Sequence, residues 1–417
     1  MGSIFSRVGS IFGSITSTIY SRPILFSVLG LFIVGMIVYG IYSSTNKNKK
    51  KIWPIEYISN KLKGRKKDCT AEMCAKNRCK SKPVCEGVVE KEPFANMVSD
   101  ELFVNMQPPC IAHAGLDSDN SFNEGAAMIA ALNAGIRSFT LQIDMLDKEK
   151  EGAFPAIGEP TLLYRDAAGV LQGKNAGSIN SVATAIANAA FRKGVAGETI
   201  VPNNEEPILL YLHIVRAPNQ IQEPAKHKAY LGKIASALAP LAPVHLGTTA
   251  LGNFHRQLQE DLILTTPLSA FNGQVIILCN ADTSVFKDGK AGVEPANDLD
   301  YWVNMRVYAL DSKYKNIGVA QEYSGEGAAA AIITSLDYIS ALSEKEATSF
   351  ALKNKTRYVI AMPSDAPEAG DLDYALNTMG VNIVPVDFFS QGEDALDLMD
   401  EYDNESWPEK VPALRSN

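Results

Sequence analysis

The stretch Pro109–Asp147, PCIAHAGLDSDNSFNEGAAMIAALNAGIRSFTLQIDMLD, decides the fold. Its first apolar run, Cys110 to Ala114, ends at a polar loop. Asn123 to Ala134 then carries small and apolar residues at helical spacing, and Ser138 to Met145 is a second apolar run. Gly135 stands where a helix closes on a residue of positive φ, a conformation that costs glycine least. Run, helix and run in this order make a βα unit, because two parallel strands need a crossover that a helix supplies. His113 falls at the end of the first run, and in α/β barrels the C-terminal ends of the strands carry the chemistry.

Working outward, the alternation continues. Strands are predicted over Pro160 to Tyr164, Pro207 to Val215 (PILLYLHIV), Gln274 to Cys279, Asp300 to Tyr308, Tyr358 to Met362 and Val381 to Val386. Helices are predicted over Ser178 to Lys193, Lys226 to Leu241 and Ala328 to Ser343. Continuous apolar strands fit a parallel sheet covered on both faces. The count comes near the eight strands of a TIM-type (β/α)8 barrel, so the expected class is α/β. The alanines from Ala183 to Ala190 read as packing residues.

With 417 residues, 46% of them apolar and 21% charged, the chain is long enough for one large barrel with appendages. A formal net charge of −8 argues against nucleic acid as a partner. The charge is uneven. Pro23 to Tyr42, PILFSVLGLFIVGMIVYGIY, holds no charged residue and has the length of a transmembrane helix. A basic block follows, from Lys47 to Lys67. The expected organisation is an amphipathic arm over 1–22, the transmembrane helix over 23–42, a basic cysteine-containing linker over 43–95, the barrel over 96–390 and an acidic tail over 391–417.

Three signals bear on topology and they disagree. The basic block after the span favours a cytosolic body by the positive-inside rule. Met1-Gly2-Ser3-Ile4-Phe5-Ser6 fits the myristoylation pattern, with Gly2 as the acylated residue, and that modification is made on the cytosolic side. The same residues also read as an amphipathic arm. Cys69, Cys74, Cys79 and Cys85 are spaced C-x4-C-x4-C-x5-C, without the close cysteine pairs of a zinc site, and so favour two disulfides and an oxidising compartment over metal. Cys110 and Cys279 lie in strand-like runs as buried thiols.

The residues just after the apolar runs are His113 with Asp117 and Asp119, Gln142 and Asp144, Arg165 and Asp166, His213, Asn280 and Asp282, Asp365 and Asp387. A ring of this kind suits a metal or phosphate site, although loop aspartates also cap helices. Asp144 and Asp166 are the candidate metal ligands, Arg165 is the candidate phosphate ligand, and His113, Arg165 and Asp144 are the candidate catalytic groups. His213 inside PILLYLHIV reads first as a hydrogen-bonded core residue. Arg165 and Asp166 are as well placed to pair with each other at a barrel rim.

The motifs IAHAG at His113, GIRSFTLQID from Gly135, EPTLLYRDAAG, FRKG with EEPILLYLHI, and TMGVNIVPVDFF resemble, in order, the barrel of phosphatidylinositol-specific phospholipases C, over roughly residues 96 to 390. The resemblance implies a phosphodiesterase-type barrel in which one histidine is a general base and a second a general acid. This chain departs from it. The second histidine position falls on Tyr164 or Arg165, and an arginine does not release a proton near neutral pH. The asparagine after the first histidine becomes Ala114. The calcium-binding acidic positions align with Thr140, Gln142 and His213, so calcium is implied but its ligands are mostly missing, unless Asp144 takes the place of Gln142.

The myristoyl-like start, the single span and the strand GIRSFTLQIDML resemble, in combination, barrel proteins of large DNA viruses. That implies a virion membrane location, with membrane lipid and capsid or other virion proteins as partners. Two readings follow. The first is a membrane-anchored barrel with a degenerate site, acting as a structural, interaction or lipid-binding module. The second is an active phosphoric diester hydrolase with a site rearranged around His113. Losing one half of an acid/base pair costs orders of magnitude in rate, which favours the first.

Overall fold

The computed structural model describes residues 99–416 apart from 151, 167, 193–200, 202, 248–259, 287–296, 316–329, 365–366, 389–401 and 403–404. The expected acylation at Gly2, the span over 23–42, the basic block and the four clustered cysteines lie outside the described residues, as does most of the acidic tail. Among the described residues no helix is long and apolar enough to cross a membrane.

Among the described residues nine strands form one sheet: β1 Cys110–Ile111, β2 Ser138–Asp144, β3 Thr161–Leu162, β4 Ile208–Ile214, β5 Val275–Cys279, β6 Met305–Ala309, β7 Ala331–Ser335, β8 Tyr358–Met362 and β9 Pro385–Val386. The order is β8-β7-β6-β5-β4-β2-β1-β9, with every neighbouring pair that shares a register running parallel. A parallel bridge between Ile360 of β8 and Ile383, just before β9, closes the ring. The result is an eight-stranded parallel barrel, as the apolar runs led one to expect, with β3 outside it.

Alternation along each strand sorts side chains to two faces. Leu209, Tyr211, Ile276, Leu278, Val307, Ile333, Tyr358 and Ile360 face inward and fill the barrel, joined by Phe103, which stacks on Tyr358 with ring centroids 4.9 Å apart. Phe139, Leu141, Leu210, Leu212, Ile277 and Val359 face outward against the helices. Three of those helices are α1 Glu124–Asn133, α2 Ile179–Ala189 and α3 Pro224–Ala237. Gly135 does end the α1 unit, at φ +82°. Ser178 caps α2 by accepting from the backbone of Ser181, and the outer core takes in Ala183 and Ala190 of the alanine run.

Three expected elements are corrected. Ala328 to Ser343 is not one helix: Ala331–Ser335 is strand β7, buried throughout, and only Leu336–Ser340 is helical. Its β-branched Ile332, Ile333 and Thr334 suit a pleated strand, and the Ser335 hydroxyl then caps the helix by accepting from Tyr338 N. Asp300 to Tyr308 begins as a short helix, Leu299–Trp302, because Asp298 caps it; the strand starts at Met305. Pro160 to Tyr164 contributes only Thr161–Leu162, paired antiparallel to the end of β2. Too short to span the barrel, β3 rides on its rim.

Candidate functional site

The C-terminal ends of β1, β2, β4 and β9 bring the candidate residues to one mouth. Asp387 follows β9, which lies beside β1, so its carboxylate meets His113: Nδ1 stands 2.8 and 2.9 Å from the two oxygens. The imidazole donates from Nδ1 to the carboxylate, which turns Nε2 the other way. That Nε2 is buried and has no hydrogen-bond partner. Tyr164, just after β3, lies edge-on to the same ring, with centroids 4.8 Å apart. Burial, reinforced by the charges of Asp387 and Asp166, raises the Tyr164 phenol above its ordinary value, so it holds its proton tightly.

Asp144, the last residue of β2, is gripped from two sides. Its side chain is only 2% exposed, and its oxygens accept from Arg165 Nε at 2.6 Å and from Arg216 Nε at 2.6 Å. Arg216 also donates to Asp147 and to the Met145 carbonyl, while Arg165 Nη1 donates to the Gly169 carbonyl. Burial pulls the Arg216 guanidinium down, but its hydrogen bonds to Asp144 and Asp147 outweigh this and raise it. Two guanidiniums satisfy a buried carboxylate that would otherwise carry a heavy desolvation cost.

Asp166 is elsewhere. It is half-buried, accepts from the backbone of Ala168 and Val170 and from Gln172, and so organises its own loop. Arg165 and Asp166, for which a rim pair was the alternative reading, thus take different partners, and Asp144 and Asp166 are not grouped as metal ligands. Asp117 accepts from Ser118, and Asp119 from Lys174 and Ser121. Asp282 pairs with Arg306 at 3.7 Å, and Asn280 bonds the backbone of Ile214. Thr140 contacts Cys110 Sγ inside the barrel, and Gln142 donates to the Ala112 carbonyl at 3.4 Å. Among the described residues no three His, Cys, Asp or Glu side chains are grouped to hold a metal ion.

His213 faces the barrel interior, opposite Gln142 in the register of β2 and β4. Its Nδ1 meets the Tyr211 hydroxyl at 3.0 Å, and its ring is edge-on to Tyr314. Burial, and then the nearby charge of His113, push its pKa down to about 4 against an opposing pull from Asp144. Sequence reasoning missed Arg216 and Tyr314. Arg216 directly follows the run PILLYLHIV, the position at which the other candidates were found, whereas Tyr314 lies in the helical turn Ser312–Lys315 after β6 and carries no such signal.

No protein-family model and no curated protein matches the chain. Solved structures do resemble it. L. pealei PLC21 is 12% identical with a TM-score of 0.45; the match covers 91% of this chain and 51% of that one, so this chain spans about half its length. A calcium-dependent phosphoinositol-specific phospholipase C from Pseudomonas sp is 10% identical with a TM-score of 0.41, covering 72% and 96%. A calcium-dependent phosphatidylinositol-specific phospholipase C from Streptomyces antibioticus is 9% identical with a TM-score of 0.38, covering 71% and 97%. At these identities and scores, the barrel rests on the chain's own strand order.

Proposed function

We propose that this protein is a membrane-anchored barrel of phosphodiesterase type whose mouth no longer turns over substrate and serves as a structural, interaction or lipid-binding module. The observation that carries the reading is the clamp on Asp144. Cleaving a phosphodiester at such a mouth takes a base and an acid on either side of the phosphate and a cation to offset its charge. Here the carboxylate that could have held a cation holds Arg165 and Arg216 instead, each of its oxygens already accepting from a guanidinium. Where a second imidazole would stand there is Tyr164, a phenol that gives up its proton less readily than in water.

Membrane lipid is the partner favoured by the apolar segment over 23–42, and capsid or other virion proteins are those the viral resemblance implies. One observation favours the second reading: the His113–Asp387 pair has the form of a base oriented by a carboxylate. Assay of the full-length protein in detergent micelles against phosphatidylinositol and a chromogenic phosphodiester, with and without calcium, separates the two. No turnover above blank is expected. Turnover abolished by His113→Ala would establish the hydrolase instead.

A further inference from the structure

Helices α1 and α2 lie side by side on the outside of the barrel and run the same way. Glu124, the first residue of α1, accepts from the backbone N of Ser178, the cap of α2, while Arg137, beyond the end of α1, donates from Nη1 to the Ala190 carbonyl just past α2. Like ends are thus tied together. Between the helices runs an open groove of about 790 Å³. Of the described residues that line it only two carry charge, Glu124 at one end and Arg192, which is exposed, at the other. At about 1.5 Å per residue along α2, the two charges stand roughly 20 Å apart. Ile129 lies between them. It is 47% exposed, although its neighbours Met128 and Ala130 are buried. Gly125 lines the same wall, and a Cβ added there would meet nothing within 4 Å.

A surface with an acid at one end, a base at the other and an apolar side chain between is complementary to itself. We infer that two copies of this protein associate through their α1–α2 grooves about a two-fold axis at Ile129, perpendicular to the helices. The half-turn brings Arg192 of the second copy to Glu124 and its Glu124 to Arg192, and the two isoleucines meet on the axis. Two-fold interfaces are built in this way, one patch facing its own copy. The short side chains of the walls, Gly125, Thr184 and Ala185, let the helices of the two copies approach to packing distance. A partner surface of uniform charge would be repelled at one end of the groove. This pairing holds whether or not the barrel mouth turns over substrate.

Sedimentation equilibrium of the full-length protein in density-matched detergent micelles tests it. A dimer is expected at micromolar protein. Ile129→Lys sets two like charges on the axis and should weaken association by about tenfold or more. Gly125→Leu favours the helix and fills space that its own copy leaves open, so it should weaken the dimer without lowering the stability of the fold. The two charges give the sharper test. Arg192→Glu alone faces glutamate with Glu124 at both ends, and Glu124→Lys alone faces lysine with Arg192; each should weaken self-association by about tenfold. Mixed in equal amounts, the two variants should dimerise again, because each end then joins opposite charges. Should Glu124→Lys fail to fold for want of its bond to Ser178, Glu124→Gln, whose amide oxygen still accepts, should recover part of the dimer when combined with Arg192→Glu.

A monomer at tens of micromolar overturns the inference and leaves the groove to a different protein. A dimer that Ile129→Lys and Gly125→Leu both leave intact places the association elsewhere in the chain, the apolar segment over 23–42 included, and overturns it as well. So does a mixture of the two folded charge variants that stays monomeric, since the two-fold pairing of Glu124 with Arg192 requires its recovery.

Discussion

His113 and Asp387 are 274 residues apart in the chain, yet Nδ1 of one lies 2.8 Å from a carboxylate oxygen of the other. Barrel closure makes this pair, because β9 comes to rest beside β1 and sets Pro385 against Cys110 and Val386 against Ile111. A double-mutant cycle with His113→Ala and Asp387→Asn should therefore return a coupling of about 1 to 2 kcal/mol in denaturant unfolding. Additive losses would mean that the two side chains are neighbours without being partners.

Tyr164 shields the His113 ring, whose Nε2 is sealed from solvent. Replacing it by alanine should expose that nitrogen. Carbethoxylation of His113 by diethyl pyrocarbonate, followed by peptide mass spectrometry, should run several-fold faster in Tyr164→Ala than in the unaltered protein. An unchanged rate would show that some other group covers the imidazole.

Asp144→Ala strands Arg165 and Arg216, which keep only their contacts to Gly169, Met145 and Asp147. Removing one member of a buried pair is costly, but both guanidiniums here reach solvent, so a loss of about 2 to 3 kcal/mol is expected. Calcium should not shift the melting temperature of the unaltered protein, since the carboxylate is already occupied. A calcium-dependent rise lost in Asp144→Asn would reverse the account of the clamp.

Beneath the barrel, at the end opposite the mouth, Lys410 is fully buried and donates to the Asn354 carbonyl. Burial, with the charge of Arg357, brings its pKa down to about 7. The folded value lies below the unfolded one, so between about pH 7 and the ordinary lysine range the unfolded chain holds a proton that the folded chain has released, and stability contributed by this group rises with pH. Lys410→Met should gain on the unaltered protein near pH 6 and lose that advantage by pH 10, as measured by denaturant unfolding at each pH. A difference that does not vary with pH would mean that Lys410 stays charged in the fold.

Much of the barrel was legible because its strands are continuous apolar runs separated by helical spacing, and Pro207 to Val215 and Tyr358 to Met362 fall within a residue or two of β4 and β8. The segment Ala331–Ser335 was not, since it follows small residues that suit a helix as well; tertiary pairing with β6 and β8 makes it a strand. In the site, His113 and Asp144 were legible from position alone. Their partners were not, because Asp387, Arg216 and Tyr164 come from three different connections.

By itself, the sequence determined the parallel barrel, the strand ends at which polar residues would gather, and the want of a second histidine after the third apolar run. Those follow from local periodicity and residue type, which act over a few turns of chain. Only the tertiary structure decided that Asp144 is spent on two arginines and that Asp387 orients His113. Hydrogen bonds and charge pairs reach about 3 Å, and which side chains come within that reach is fixed by how the strands are ordered around the ring.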